Sequence, residues 1–155
     1  KTLEVLCLIA STLQQLKDEA REGGDGCTHA TLLILPPALV AQWRKEIEKS
    51  CGDTLKVALL DAHAKSINED IVVAQGEGPD ILITTYGALE ATRTSKFLAS
   101  WQWGRVVLDE MQEIRSSTTK IARNCDALTC QRRWLVSGTP IFEGISDLRG
   151  ELNFL

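Results

Sequence analysis

The chain has 155 residues, of which 44% are hydrophobic, 25% charged and 5% aromatic. This composition indicates one soluble globular domain with a sizeable core, and it excludes a disordered or collagen-like chain. The formal net charge of −4 argues against a simple basic nucleic-acid binder, and no apolar run approaches the about 20 residues of a membrane helix. Because the chain begins with Lys1 and not with Met, we expect it to be a piece of a longer protein.

The first half of the chain predicts two helices and two strands. Apolar residues recur at helical spacing over 3–16, which predicts a helix of about five turns over 3–21, and Gly23-Gly24 close it. The apolar run 30–35 stops at two prolines, so it predicts a buried strand. Helical spacing returns over 38–50, and 56–60 predicts a second strand.

The second half continues the alternation after a polar, weakly helical stretch. A third strand is predicted over 80–85 and a helix over 87–101. Two further strands are predicted at 105–108 and 134–136, with a mixed helix-and-loop segment between them at 116–130. A closing amphipathic helix is predicted at 145–155. Short, nearly all-apolar strands that alternate with helices indicate a parallel sheet with helices on both faces. We therefore predict one α/β domain over residues 1–155.

Unusual residues follow four of the predicted strands. They are Pro36-Pro37, Thr84-Thr85-Tyr86, Asp109-Glu110 and Ser137-Gly138-Thr139-Pro140. Each group alone is compatible with an ordinary turn, strand end or helix cap. In parallel α/β sheets, however, functional residues gather at the carboxyl ends of the strands. Together the four groups predict a site at that edge.

The segment Val106–Glu110 has the form of a Walker B strand, in which an apolar strand ends in two carboxylates. The first carboxylate, Asp109, can hold Mg²⁺ through water, and the second, Glu110, can polarise an attacking water. Lys1-Thr2 runs straight into the first predicted helix, as the last two residues of a P-loop do. The glycines of such a loop would precede Lys1.

Together these segments resemble the first ATPase lobe of the Swi/Snf-type DNA translocases of helicase superfamily two. Their order and spacing agree over essentially the whole chain, at 1–6, 33–39 with Gln42-Trp43, 80–86, 103–110, 133–141, and 147–148 with 152–155. Ser137 and the segment 144–148 are similar to the RING-bearing branch that includes the helicase-like transcription factor and SHPRH. The chain departs from the family at Met111 and at Phe142-Glu143.

The resemblance implies a RecA-like lobe of the P-loop NTPase fold that uses ATP and Mg²⁺. Lys1 would pair with the β- and γ-phosphates, Thr2 and Asp109 would hold Mg²⁺, and Glu110 would orient the attacking water. The resemblance also implies residues that couple the nucleotide to DNA, namely Gln112, Ser137, Gly138 and Thr139. The residues implied to contact DNA are Pro36, Pro37, Ala38, Thr84, Thr85 and Tyr86.

The resemblance further implies duplex DNA as a partner, together with a second helicase lobe of the same chain that supplies arginine fingers. It implies a nuclear protein of DNA repair or chromatin remodelling, with nucleosomes, repair proteins and ubiquitin-pathway proteins as further partners. We expect the chain by itself to bind nucleotide weakly and to hydrolyse it negligibly.

Two other functions remain open from the residues. A catalytically degenerate nucleotide-fold lobe that acts as a docking module would share every motif. A doubly wound signalling domain would use Asp109 as a phospho-acceptor and needs a second acidic residue at a neighbouring strand end, for which Asp61 is the candidate. A DNA-binding module unrelated to ATP is disfavoured by the net charge.

The five cysteines are odd in number, widely spaced and without a C-x-x-C pair. This pattern favours a reducing compartment over a disulfide framework. Cys125 and Cys130 have a spacing that suits half a zinc site, but no second pair accompanies them. We predict ordinary buried or half-buried thiols.

Overall fold

The computed structural model describes residues 1–60, 78–110, 119–138, 152, 154 and 155. These residues form both helices and strands. In chain order the elements are α1 (Thr2–Gly23), β1 (Cys27–Leu35), α2 (Pro37–Cys51), a 3-10 turn (Gly52–Thr54), β2 (Val57–Leu59), β3 (Ile81–Thr85), α3 (Tyr86–Glu90), α4 (Thr92–Ala99), β4 (Gln102–Asp109), α5 (Lys120–Asp126), β5 (Thr129–Cys130) and β6 (Arg133–Val136).

The described strands form one parallel sheet in the order β2-β3-β1-β4-β5, with β6 also paired to β4. β5 lies beside the start of β4, where Gln102 pairs with Thr129, and β6 lies beside its end, where Asp109 pairs with Val136. The two short strands therefore occupy one position in the sheet. This architecture confirms the predicted parallel α/β fold.

Strand β1 lies in the middle of the sheet, and all of its residues are buried. Successive side chains of a strand point to opposite faces. Accordingly Leu32 and Ile34 pack into one core cluster with residues of α3, α4 and α5, whereas Leu33 and Leu35 pack into the other with residues of α1 and α2. Helices thus cover both faces, which explains why the strand is apolar without alternation.

The structure departs from the sequence prediction in the region 86–101. The predicted single helix is two helices, α3 and α4, because the backbone of Ala91 is extended with φ −71° and ψ 119°. The hydroxyl of Thr85 accepts a hydrogen bond from the backbone N–H of Ala88 at 3.3 Å and so caps α3. The predicted polar stretch 61–77 and most of the predicted helix 145–155 lie outside the described residues.

A buried polar cluster joins the amino ends of β1 and β3. Nε2 of His29 lies 3.0 Å from Oδ1 of Asp80, and the ammonium of Lys17 lies 3.0 Å from the same oxygen. The backbone N–H of Lys56 donates to Oδ2 of Asp80 at 2.8 Å. Burial alone raises the pKa of Asp80, but the hydrogen bonds from His29 and Lys56 and the charge of Lys17 outweigh burial and lower this pKa to about 2. The carboxylate therefore stays ionised inside the fold.

Candidate active site

The carboxyl ends of the strands lie side by side at one edge of the sheet. Leu35 at the end of β1 pairs with Thr85 at the end of β3, and Asp109 at the end of β4 pairs with Val136 at the end of β6. β1 also pairs with β4 as far as Ile34 and Leu108, the penultimate residue of each strand. The predicted site residues that stand at these strand ends are Pro36, Thr84, Asp109 and Ser137. The structure thus confirms that they share the carboxyl edge.

Asp109 is 5% exposed, and three hydrogen bonds hold it at the tip of β4. The indole N–H of Trp43 donates to Oδ2 at 2.6 Å, and the backbone N–H of Glu110 donates to Oδ1 at 3.0 Å. The hydroxyl of Tyr86 donates to the backbone carbonyl oxygen of Asp109 at 2.9 Å. A carboxylate offers about four lone-pair positions. The two donors therefore orient the group and leave it able to hold a metal-bound water.

Glu110 follows in a left-handed backbone conformation with φ 50°, the one positive φ of a non-glycine residue within the described ranges. Such a conformation is uncommon and concentrates at functional sites, where the surrounding structure maintains it. Oε1 of Glu110 lies 3.2 Å from the ammonium of Lys1, and the Glu110 side chain is 26% exposed. The second carboxylate is therefore at the surface, next to a positive charge.

Lys1 reaches this edge because α1 begins there, with Thr2 as its first residue. A Cβ atom added to Gly138, just beyond β6, would lie 3.2 Å from the ammonium of Lys1. The absence of a side chain at Gly138 therefore leaves room for the ammonium between the ends of β4 and β6. An exposed ion pair contributes at most about 1 kcal/mol to stability. The pair between Lys1 and Glu110 thus leaves the lysine free to exchange partners.

The segment Pro36–Ala38 forms the entry to α2. Pro36 is the N-cap with φ −61° and ψ 144°, and Pro37 is the first helical residue. Pro37 and Ala38 are exposed. The N-terminus of a helix favours anions, because its first backbone amides and the helix dipole point toward them.

The two threonines at the end of β3 differ in exposure. Thr84 is completely buried, and its hydroxyl donates to the backbone carbonyl of Leu60 at 3.0 Å. Thr85 is half-buried at the sheet edge, and Tyr86 is buried. A phosphate that approached this edge would therefore contact Thr85 first. Thr84 and Tyr86 lie behind Thr85, inside the fold.

Some predicted site residues cannot be placed. Gln112 and Thr139 lie outside the described residues, as does Asp61, the acidic partner that a phospho-acceptor at Asp109 would need. Ser137 and Gly138 of the predicted coupling group lie directly after β6. The resemblance includes Trp43 but implies no role for it. The structure shows its indole N–H bonded to Asp109, which sequence reasoning missed.

The prediction of buried or half-buried thiols is correct for four of the five cysteines and wrong for Cys7, which is exposed on α1. Cys125 is fully buried in α5, and burial raises the pKa of its thiol to about 12. Burial also raises the pKa of Cys130. Among the residues that the structure describes, no group of three or more His, Cys, Asp or Glu side chains could hold a metal. None of the described helices is both long and apolar enough to cross a membrane.

The parallel sheet with helices on both faces has the architecture of a RecA-like lobe. The sequence profile of the SNF2-related domain family matches residues 1–155. The chain belongs to this family.

Solved structures agree with the family assignment. The chain is similar to the Sulfolobus solfataricus SWI2/SNF2 ATPase core in complex with dsDNA, with 26% identity and a TM-score of 0.77 over 100% of this chain and 29% of that one. A second structure, the Sulfolobus solfataricus SWI2/SNF2 ATPase core domain, shares the fold at 24% identity and a TM-score of 0.71, over 100% of this chain and 28% of that one.

Curated relatives are DNA repair proteins. The chain is 32% identical over 168 residues to DNA repair protein rad8 of Schizosaccharomyces pombe, covering 100% of this chain and 15% of that protein. It is 33% identical over 137 residues to DNA repair protein RAD5 of Eremothecium gossypii, covering 81% of this chain and 12% of that protein. The chain therefore spans a small part of the length of these relatives.

Proposed function

We propose that this chain is the ATP-binding lobe of a nuclear DNA translocase of repair or chromatin remodelling, which couples ATP hydrolysis to movement on duplex DNA. The observation that carries the proposal is the meeting of Lys1, Asp109 and Glu110 at one sheet edge. The similarity to a SWI2/SNF2 core solved with dsDNA and to the rad8 and RAD5 repair proteins supports DNA as the partner.

The residues at the edge fit Mg²⁺ and ATP. Asp109 presents an oriented carboxylate, and oxygen ligands are those that Mg²⁺ prefers. Asp109 and the hydroxyl of Thr2 would hold the metal, and Lys1 would contact the β- and γ-phosphates. When bound, Mg²⁺ would neutralise charge on the phosphates.

Glu110 would act on the attacking water. In the structure its carboxylate is paired with Lys1. Phosphates compete for the ammonium of Lys1 more strongly than one carboxylate does, because they carry more negative charge. Nucleotide binding would therefore release Glu110 from this ion pair and let it orient a water molecule and accept its proton.

Coupling to DNA would use the end of β6. Gly138 lies beside the ammonium of Lys1, and Ser137 lines the same cleft as Lys1, so a change at the phosphates would reach both residues. Gln112 and Thr139 are proposed to complete this group. A second helicase lobe of the same chain would supply the arginine that stabilises the transition state. Nucleosomes and proteins of repair and ubiquitin pathways remain predicted partners.

DNA would lie across the entry to α2 and the end of β3. Pro36, Pro37 and Ala38 form the helix N-terminus, where Ala38 has the backbone N–H because proline has none, and Thr85 presents a hydroxyl. Both groups are uncharged donors for phosphates. Contacts of this kind hold the backbone without reading the base sequence. They also explain how a lobe within a chain of net charge −4 can bind DNA.

The measurement that tests the proposal is ATP hydrolysis by the full-length protein with and without duplex DNA, together with displacement of a third strand from a triplex. We expect hydrolysis that rises with DNA and displacement that requires ATP. DNA binding without hydrolysis would instead assign a docking module built on a degenerate nucleotide fold.

The Thr85→Ala variant of the full-length protein is expected to lose roughly fivefold in DNA affinity, since one hydrogen bond contributes about 1 kcal/mol. The loss should be equal on duplexes of unrelated sequence, because a phosphate contact carries no base information. ATP binding should not change. Fluorescence anisotropy with two labelled duplexes measures the first two results.

The Thr84→Val variant is the comparison. It removes a hydroxyl that bonds to Leu60 inside the sheet, so we expect lower thermal stability and unchanged DNA affinity in the folded protein. A folded Thr85→Ala protein with wild-type affinity on every duplex would remove the end of β3 from the DNA surface.

A further inference from the structure

Two buried aromatic side chains from different elements converge on Asp109. The indole N–H of Trp43, on α2, donates to the carboxylate oxygen Oδ2 at 2.6 Å. The hydroxyl of Tyr86, on α3, donates to the backbone carbonyl oxygen of the same residue at 2.9 Å. Trp43 is 2% exposed and Tyr86 3% exposed, so water does not compete for either hydrogen bond.

Both aromatic residues are rigidly continuous with the segments that we propose to face DNA. Trp43 lies in the same helix that begins at Pro37. Tyr86 is the first residue of α3 and directly follows Thr85, whose side chain caps that helix. A displacement of either segment by bound DNA would therefore move a hydrogen-bond donor of Asp109.

The bond from Trp43 is chemically unusual for a core tryptophan. A buried indole N–H needs an acceptor, and a backbone carbonyl is sufficient. Trp103 shows this ordinary solution, since its indole N–H donates to the backbone carbonyl of Leu98 at 2.8 Å. Trp43 instead donates to an ionisable carboxylate, and a short bond to a charged acceptor is about twice as strong as a neutral one.

We propose that Trp43 is a positioning residue for the metal site, which holds Oδ2 of Asp109 so that the remaining lone pairs face the carboxyl edge. Through the same bond it transmits movement of the DNA-facing end of α2 to the carboxylate. Tyr86 has the corresponding role at the backbone of Asp109. This inference rests on the proposed function, in which Asp109 holds Mg²⁺ and the start of α2 contacts DNA.

Asp109 depends on the hydrogen bond from Trp43 because Asp109 is buried. A carboxylate that is 5% exposed must be stabilised by donors that the protein supplies. Without the indole N–H, the carboxylate retains the backbone N–H of Glu110 among its described donors and can rotate toward other partners. Groups that orient a metal ligand from behind typically change metal affinity or activity by about tenfold to a hundredfold when removed.

The test compares Trp43→Phe with Trp103→Phe in the full-length protein. Both changes remove a buried indole N–H and nearly the same volume, but only the first touches Asp109. The first readout is binding of a fluorescent ATP analogue at increasing Mg²⁺, and the second is the kcat and KM of DNA-stimulated hydrolysis. Thermal unfolding of both variants reports their loss of packing.

For Trp43→Phe we expect the half-saturating Mg²⁺ concentration to rise about tenfold and the DNA-stimulated kcat to fall by a similar factor. For Trp103→Phe we expect lower thermal stability and wild-type Mg²⁺ dependence. Tyr86→Phe should reduce stimulation by DNA more than it changes Mg²⁺ dependence, because its hydroxyl contacts the backbone and not the carboxylate.

Wild-type Mg²⁺ dependence in folded Trp43→Phe would overturn the inference, and so would an equal shift in both tryptophan variants, which would indicate general destabilisation. If the wild-type protein binds the nucleotide with Mg²⁺ but shows no stimulation by DNA, the proposed function fails, and the Mg²⁺ titration still decides the role of Trp43.

A measurement that keeps the indole N–H tests the inference if Trp43→Phe folds poorly. Fluorotryptophan incorporated at Trp43 should change its fluorine resonance when Mg²⁺ is added to the nucleotide-bound protein. A resonance that responds to neither Mg²⁺ nor DNA would contradict the inference.

Discussion

The Glu110→Gln variant of the full-length protein is expected to bind ATP as the wild type does and to hydrolyse it at least about a hundredfold more slowly. Glutamine has the same shape and can still accept a hydrogen bond from Lys1, so the local structure should persist. It cannot take a proton from water, and a general base contributes about a hundredfold to ten-thousandfold to a rate. Binding of a fluorescent ATP analogue and release of phosphate measure the two effects separately.

Glu22→Gln is the matched control for this result. The substitution is chemically the same, but Glu22 is exposed and lies at the end of α1 opposite to Lys1. Hydrolysis by this variant should equal that of the wild type. If Glu110→Gln lost nucleotide binding together with hydrolysis, Glu110 would have a structural role at the end of β4 and not a catalytic one.

Asp80→Asn is expected to lower the free energy of unfolding of the 155-residue chain by about 3–5 kcal/mol at pH 7, the effect of breaking a buried ion pair. The substitution leaves the ammonium of Lys17 without its buried counter-charge and weakens the bond to His29. Asp18→Asn supplies the control, because Asp18 pairs with Arg21 at the exposed surface of α1. Urea unfolding should show a change of at most about 1 kcal/mol for that variant.

The stabilisation that Asp80 provides is also expected to depend on pH. The pKa of Asp80 lies at about 2 in the folded chain, below its ordinary value of 3.8. A carboxyl group with a lowered folded pKa adds stability that is complete above the unfolded pKa and is lost as the pH falls through the folded one. The difference in stability between wild type and Asp80→Asn should therefore shrink as the pH falls from about 4 toward 2. A difference that stays constant over this range would show that the charge of Asp80 does not stabilise the fold.

Local patterns in the sequence determined most of the elements and their order, but not the break between α3 and α4 or the short strand β5. Helical spacing predicted a helix over 3–21, and the structure has α1 at Thr2–Gly23. The apolar run before Asp109 predicted a strand over 105–108, and β4 spans Gln102–Asp109. Because short parallel strands need crossover helices, this order also determined which ends of the strands meet. The sequence alone therefore places the acidic pair at the carboxyl edge.

Tertiary structure alone decided which buried polar groups pair. Trp43 and Asp109 are 66 residues apart, and His29 and Asp80 are 51 residues apart. Apolar spacing predicts that Trp43 faces the core, but it does not show which acceptor lies opposite its indole N–H. It likewise does not distinguish Thr84, which bonds inside the sheet, from Thr85, which lies at the edge. In a parallel sheet the crossover helices separate neighbouring strands by long stretches of chain, so the partner of each buried polar group is set by strand order and register and not by spacing in the sequence.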